Sequence, residues 1–195
     1  MEWDEENDRD FLLSFKDTVD YDGIKVKEII KQKLLENRFI IHVLNNRELE
    51  EINAGADKYF GKNILPYYLV TPTQSDVQNF ICYTVGFREE YRYNDTVKKL
   101  LITFVILCEQ KNIIDKDTSL ARTDLLAALI QDQFNYTNYF GKKVHIIQDE
   151  ESVVDNIYAC RTLIFEQEAD NNLVRTRDGV PRLINKDTYA KIPKS

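Results

Sequence analysis

Apolar residues follow two different periods along this chain. From Gly23 to Leu44, Val26, Ile29, Ile30, Leu34, Ile41 and Leu44 recur at helical intervals with Lys and Glu between them. Asn45-Asn46 is a plausible stop. Between residues 47 and 78 the pattern weakens. Glu48 to Tyr59 has room for a short helix, Gly61, Pro66 and Pro72 break regular structure, and Pro66-Tyr67-Tyr68-Leu69-Val70 reads as extended.

From Phe80 the residues become β-branched and aromatic. Ile81 to Phe87 predicts a strand running on towards Tyr93, and Asn94-Asp95 supplies a turn. Lys99 to Glu109 predicts a second strand, apolar on both faces and therefore central in its sheet, covered on two sides. Asp115 to Ser119 is a polar connection. A helix is expected from Ala121 to Phe134, with Leu125, Leu126, Leu129 and Ile130 as its stripe, Thr118 or Thr123 as cap, and Asp124 in the first turn. After a connection over Asn135 to Gly141, Lys143 to Gln148 reads as a third strand. Asp149 to Asp155 reads as an acidic connection, and Ile157 to Gln167 as a fourth strand. The fold expected is α+β: an antiparallel or mixed four-stranded sheet with helices packed on it, plus extended terminal arms.

The arms emerge from the charge pattern. The chain of 195 residues has a formal net charge of −7, unevenly spread. Residues 1–22 hold nine carboxylates against only Arg9 and Lys16, around a small apolar cluster, Phe11 to Phe15. Residues 170–195 carry Arg175, Arg177, Arg182, Lys186, Lys191 and Lys194, with a turn at Asp178-Gly179. This divides the chain into an acidic arm (1–22), a folded domain (23–169) and a basic arm (170–195). One reading is two solvated tails. The other is that the acidic arm of one subunit meets the basic arm of the next.

Composition narrows the chemistry. An acidic chain is ill-suited to gripping nucleic acid, which needs a positive surface to release counterions. No run approaches the roughly 18 apolar residues of a membrane span, and Met-Glu-Trp-Asp-Glu-Glu is the opposite of a signal sequence. Cys82, Cys108 and Cys160 are odd in number, far apart and set in apolar runs, so buried, reduced thiols are expected. His42 and His145 are isolated and read as hydrogen-bonded structural residues. Metal-ligand spacing, a nucleophile elbow and a glycine-rich phosphate loop are all missing from the sequence. Carboxylate pairs at Glu89-Glu90 and Asp149-Glu150-Glu151 read as solvated turns, with acid–base catalysis as the minor alternative. The chain is expected not to be an enzyme and to take no cofactor and no metal.

Aromatics in connections need another reason. Tyr59, Phe60, Tyr67, Tyr68, Tyr136, Tyr139 and Phe140 fall outside element centres, where they either cover the sheet or contact other chains. Tyr136-Thr137-Asn138-Tyr139-Phe140 is the favoured contact loop.

The stretch Ile114-Asp115-Lys116-Asp117-Thr118-Ser119-Leu120-Ala121-Arg122-Thr123-Asp124-Leu125-Leu126, leading into Phe134-Asn135, Phe140-Gly141 and Arg161 to Glu166, resembles small neck and tail-terminator proteins of tailed phages. The resemblance covers residues 23–168; the stretch 47–78 is longer than that pattern, and both termini extend beyond it. It implies a virion protein, made in the host cytoplasm, whose copies close into a hexameric or dodecameric ring. The ring would join neck, portal-side or tail-tube proteins and let viral DNA pass without binding it. The family carries no catalytic residues. Interface candidates are Arg122, Asp124, Tyr136, Tyr139, Phe140, Arg175 and Arg177. The alternative is a non-enzymatic adaptor, or another minor tail or connector protein, that binds a protein partner.

Overall fold

A computed structural model describes residues 7–14, 22–68, 79–88, 97–153, 157–170, 173–175 and 181–183. Most of both expected arms, the strand extension towards Tyr93, the Asn94-Asp95 and Asp178-Gly179 turns, Glu89-Glu90, Leu69-Val70 and Arg177 lie outside these residues.

Four helices come first: α1 (Asn7–Ser14), α2 (Asp22–Glu36), α3 (Arg38–Leu44) and α4 (Arg47–Glu51). The single helix expected over 23–44 is two, broken at Asn37. Its backbone is extended there, and its Oδ1 accepts from the N–H groups of Phe39 and Ile40, which caps α3. Its Nδ2 donates to Gln133 Oε1 at 2.9 Å, tying the break to a distant helix. The break shifts the stripe by one position, so Ile40 is buried and Ile41 is only partly so. After α4, a 3-10 turn over Ala56–Tyr59 leads to a short strand, β1 (Ile64–Leu65). Tyr59 is buried in the core; it is not a contact residue.

The strands β2 (Asn79–Arg88) and β3 (Val97–Glu109) form an antiparallel ladder. α5 (Arg122–Phe134) follows, then β4 (His145–Val153) and β5 (Tyr158–Asp170), also antiparallel. The sheet order is β1-β2-β3-β5-β4, with β1 parallel to β2, so the expected four-stranded sheet gains a short fifth strand and is mixed. β3 is central, as its two apolar faces require. In the C-terminal region β6 (Leu173–Arg175) pairs antiparallel with β7 (Pro181–Leu183) as a separate two-stranded sheet.

Helices α2 and α5 pack on one face of the five-stranded sheet, with α3 against α5. Phe104, in the middle of β3, is fully buried there; its ring centroid lies 5.2 Å from that of Phe134 on α5 and 5.7 Å, edge-on, from that of Phe165 on β5. A chain of buried asparagines anchors the helices to the sheet edge. Asn46 donates to Asn63 Oδ1 at 2.7 Å, Asn63 to the Asn79 carbonyl at 2.9 Å, and Asn79 to the Leu44 carbonyl at 2.9 Å. A second, smaller cluster on the opposite face includes Phe80, Cys82, Leu107, Tyr158 and Cys160.

Two further expectations, on β4 and on the α5 cap, are corrected, and the histidines are placed. Asp149 to Val153 is strand, not connection: β4 is an outer strand, where charged side chains are tolerated and discourage edge-to-edge pairing. Neither threonine caps α5. Ala121 holds the cap position without a side-chain bond, and Thr118 donates its hydroxyl to Asp115 instead. Both histidines are exposed, with His42 Nε2 3.2 Å from Asp117 Oδ2.

Candidate functional site

The register of three adjacent strands sets one row across the sheet: Phe87 on β2 pairs with Leu100 on β3, which pairs with Gln167 on β5. Val26 of α2 and Tyr139 and Phe140 of the loop after α5 also line the space beside that row. Together they enclose a groove of about 400 Å³. Its exposed lining residues include Lys25, Lys142 and Glu168, so the groove has an apolar, aromatic lining and a charged margin. Gln167 is buried; its Nε2 donates to the Phe140 carbonyl at 2.8 Å, and its Oε1 has no partner.

The loop is held firmly. Phe140 stacks parallel to Phe134 and Tyr139 meets it edge-on, at centroid distances of 6.3 and 6.2 Å. The N–H of Tyr136 donates to the Val144 carbonyl, that of Val144 to Thr137, and that of Gly141 to Asn138. Gly141 supplies the positive φ of the turn, +97°. Tyr136 also adopts positive φ, +60°, which is costly for an aromatic residue, and its side chain is 67 % exposed. Backbone strain and exposure therefore coincide at Tyr136. Tyr136→Gly is expected to stay within about 1 kcal/mol of wild type in urea unfolding, because relief of αL strain offsets the chain entropy of glycine. Tyr136→Val is expected to lose about 1–2 kcal/mol, because a β-branched side chain fits that region worse. Equal losses in the two variants would contradict the strain.

The groove gathers two of the expected interface residues, Tyr139 and Phe140, with Tyr136 on the same loop. The others lie elsewhere. Arg122 is 3 % exposed: its Nη1 lies 3.0 Å from Asp115 Oδ1 and donates to the Val43 carbonyl at 2.9 Å, while its Nε donates to the Asn112 carbonyl at 3.1 Å. It is an internal brace, not a surface contact. Asp124 pairs with Arg161 of β5, which also holds Asp149 in a two-pronged contact at 2.7 and 2.9 Å. Arg175 is placed only by its backbone, on β6. Lys25, Phe87 and Gln167 escaped the sequence reading because only strand register and helix packing bring them to the loop.

The carboxylates are tuned for pairing. Arg161 holds the Asp149 carboxyl below its usual value. Burial pushes Asp115 up, but the Thr118 hydroxyl and N–H and the Arg122 charge outweigh it, and the net direction is down. A lowered folded value stabilises above the unfolded value, near 3.8, and that contribution is lost as pH falls through the folded value. Urea unfolding is therefore expected to show lower stability at pH 3 than at pH 6, with a smaller difference in Asp149→Asn. An unchanged difference in that variant would contradict the assignment. The Cys108 thiol is pushed up by burial to about 12, which keeps it protonated and unreactive at neutral pH. Among the described residues no three His, Cys, Asp or Glu side chains gather as a metal site, and no helix is long and apolar enough to cross a membrane.

No curated protein matches the chain. The YomW family model matches residues 37–167, a span that holds the break at Asn37, β1 to β4, β5 as far as Gln167, and the loop after α5. The match covers well over half of the sequence, so the chain belongs to the YomW family, a phage-derived family.

Proposed function

We propose that this protein is a structural component of a tailed phage particle, in which copies close into a ring in the neck or tail. The observation that carries this reading is the loop after α5, which presents Tyr136 and Tyr139 on a well-bonded backbone. Exposed, pre-ordered aromatics cost little further entropy when they are covered by another chain. The sheet order adds support. A head-to-tail ring needs two different patches on each subunit, and here the outer strands β1 and β4 bound opposite sides of the sheet, so the two sides differ in length and charge. The phage-derived family supports the setting. The net charge of −7 suits a lumen through which DNA slides without adhering. In this reading the protein works by geometry and catalyses no reaction.

The test is composition and location in purified particles of the source phage. The protein is expected at a fixed copy number per particle, with a labelled antibody binding at the head–tail junction or along the tail. Absence from purified particles would overturn the reading.

A further inference from the structure

Among the described residues two exposed apolar features stand apart, the groove lined by Phe87, Leu100 and Tyr139 and the leucines of helix α1. α1 carries Leu12 and Leu13 at 53 % and 44 % exposure, so both leucines keep about half of their surface open to solvent. An isolated eight-residue helix is marginal in water and needs a surface to pack on. We propose that α1 of one copy docks its leucines into the groove of a second copy. This rests on the assembly reading above and gives it a specific joint. It also replaces the expected meeting of acidic and basic arms with a meeting of the acidic arm and the groove.

Three observations fit the occupant to the site. The groove of about 400 Å³ lies towards the small end of ordinary pockets, roughly 300–1,000 Å³, which suits a few apolar side chains from a helix. The charges also match. α1 carries Asp8 and Asp10 within a segment dominated by carboxylates, while Lys25 and Lys142 line the groove, opposed there by Glu168. The buried Oε1 of Gln167, without a partner, offers an acceptor in the groove lining.

The full-length protein tests this by disulfide trapping. Leu13→Cys and Lys142→Cys chains are mixed in a glutathione redox buffer, and the linked peptides are mapped by mass spectrometry. The native cysteines Cys82, Cys108 and Cys160 are buried and stay out of the exchange. The 13–142 link is expected to form in at least about tenfold higher yield than a 13–116 link made with the control Lys116→Cys. Equal yields would overturn the docking, as would a doubly substituted Leu13→Cys/Lys142→Cys chain that links only within itself. In parallel, Leu12→Asp/Leu13→Asp is expected to weaken self-association about tenfold or more with an unchanged far-ultraviolet circular dichroism spectrum. Wild-type-like assembly in that variant overturns the docking and leaves the assembly reading standing. Wild-type protein that is monomeric at every concentration overturns both.

Discussion

Replacing Arg122 with methionine is expected to lower the free energy of unfolding by about 3–5 kcal/mol, because it strands a buried carboxylate. Asp115 and Arg122 are each about 3 % exposed, and the guanidinium joins the turn after β3 to the first turn of α5. It also donates to the carbonyls of Val43, at the end of α3, and Asn112. One side chain therefore closes three segments, and methionine, similar in length, would satisfy none of these acceptors. Arg122→Lys keeps the charge but not the fork, so an intermediate loss is expected. The double variant Arg122→Met/Asp115→Leu is expected to recover part of the loss, since it removes the orphaned charge yet leaves both carbonyls unpaired. Urea unfolding at pH 7 measures all three. A loss below about 1 kcal/mol in Arg122→Met would show that the pair is not closed off from water.

Phe104→Ala is expected to cost about 3–5 kcal/mol, the range for deleting a fully buried aromatic. Phe104 sits on the central strand, where neighbours on both sides limit collapse. Its ring meets Phe134, Phe165 and Tyr83, so the cavity would open between α5 and three strands. Phe104→Leu keeps most of the volume and is expected to cost clearly less. Equal losses for Ala and Leu would show that aromatic shape, and not filled volume, dominates at this site.

These two residues show how legible the fold was. Phe104 was readable: a strand apolar on both faces belongs in the middle of a sheet, and β3 is there. Arg122 was not. Its partner Asp115 lies across a turn and its other acceptors are backbone carbonyls, so no spacing of side chains announces them. Asn37 was missed for a similar reason. Helical periodicity runs across a cap with little interruption, and only the hydrogen bonds to Phe39 and Ile40 expose the break. The two-residue β1 is too short to show a pattern, and β4 hides its strand character behind the charges that an outer strand tolerates. At the groove, Tyr139 and Phe140 were legible as aromatics in a connection. Lys25, Phe87 and Gln167 were not, because strand register and helix packing gather them from distant parts of the chain.

Charge asymmetry marks the arms in the sequence, and the proposed docking gives the acidic arm a surface to meet. α1 brings exposed leucines, and the groove brings aromatic walls and a lysine-bearing margin. If copies join in this way, head-to-tail contacts repeat around an axis and must close.

Sedimentation velocity with native mass spectrometry on the full-length protein tests that claim most directly, over at least a hundredfold range of concentration. One discrete closed oligomer, with a single subunit number that persists as concentration rises, is the result expected. A monomer throughout, or open-ended polymers whose size grows with concentration, would contradict the account.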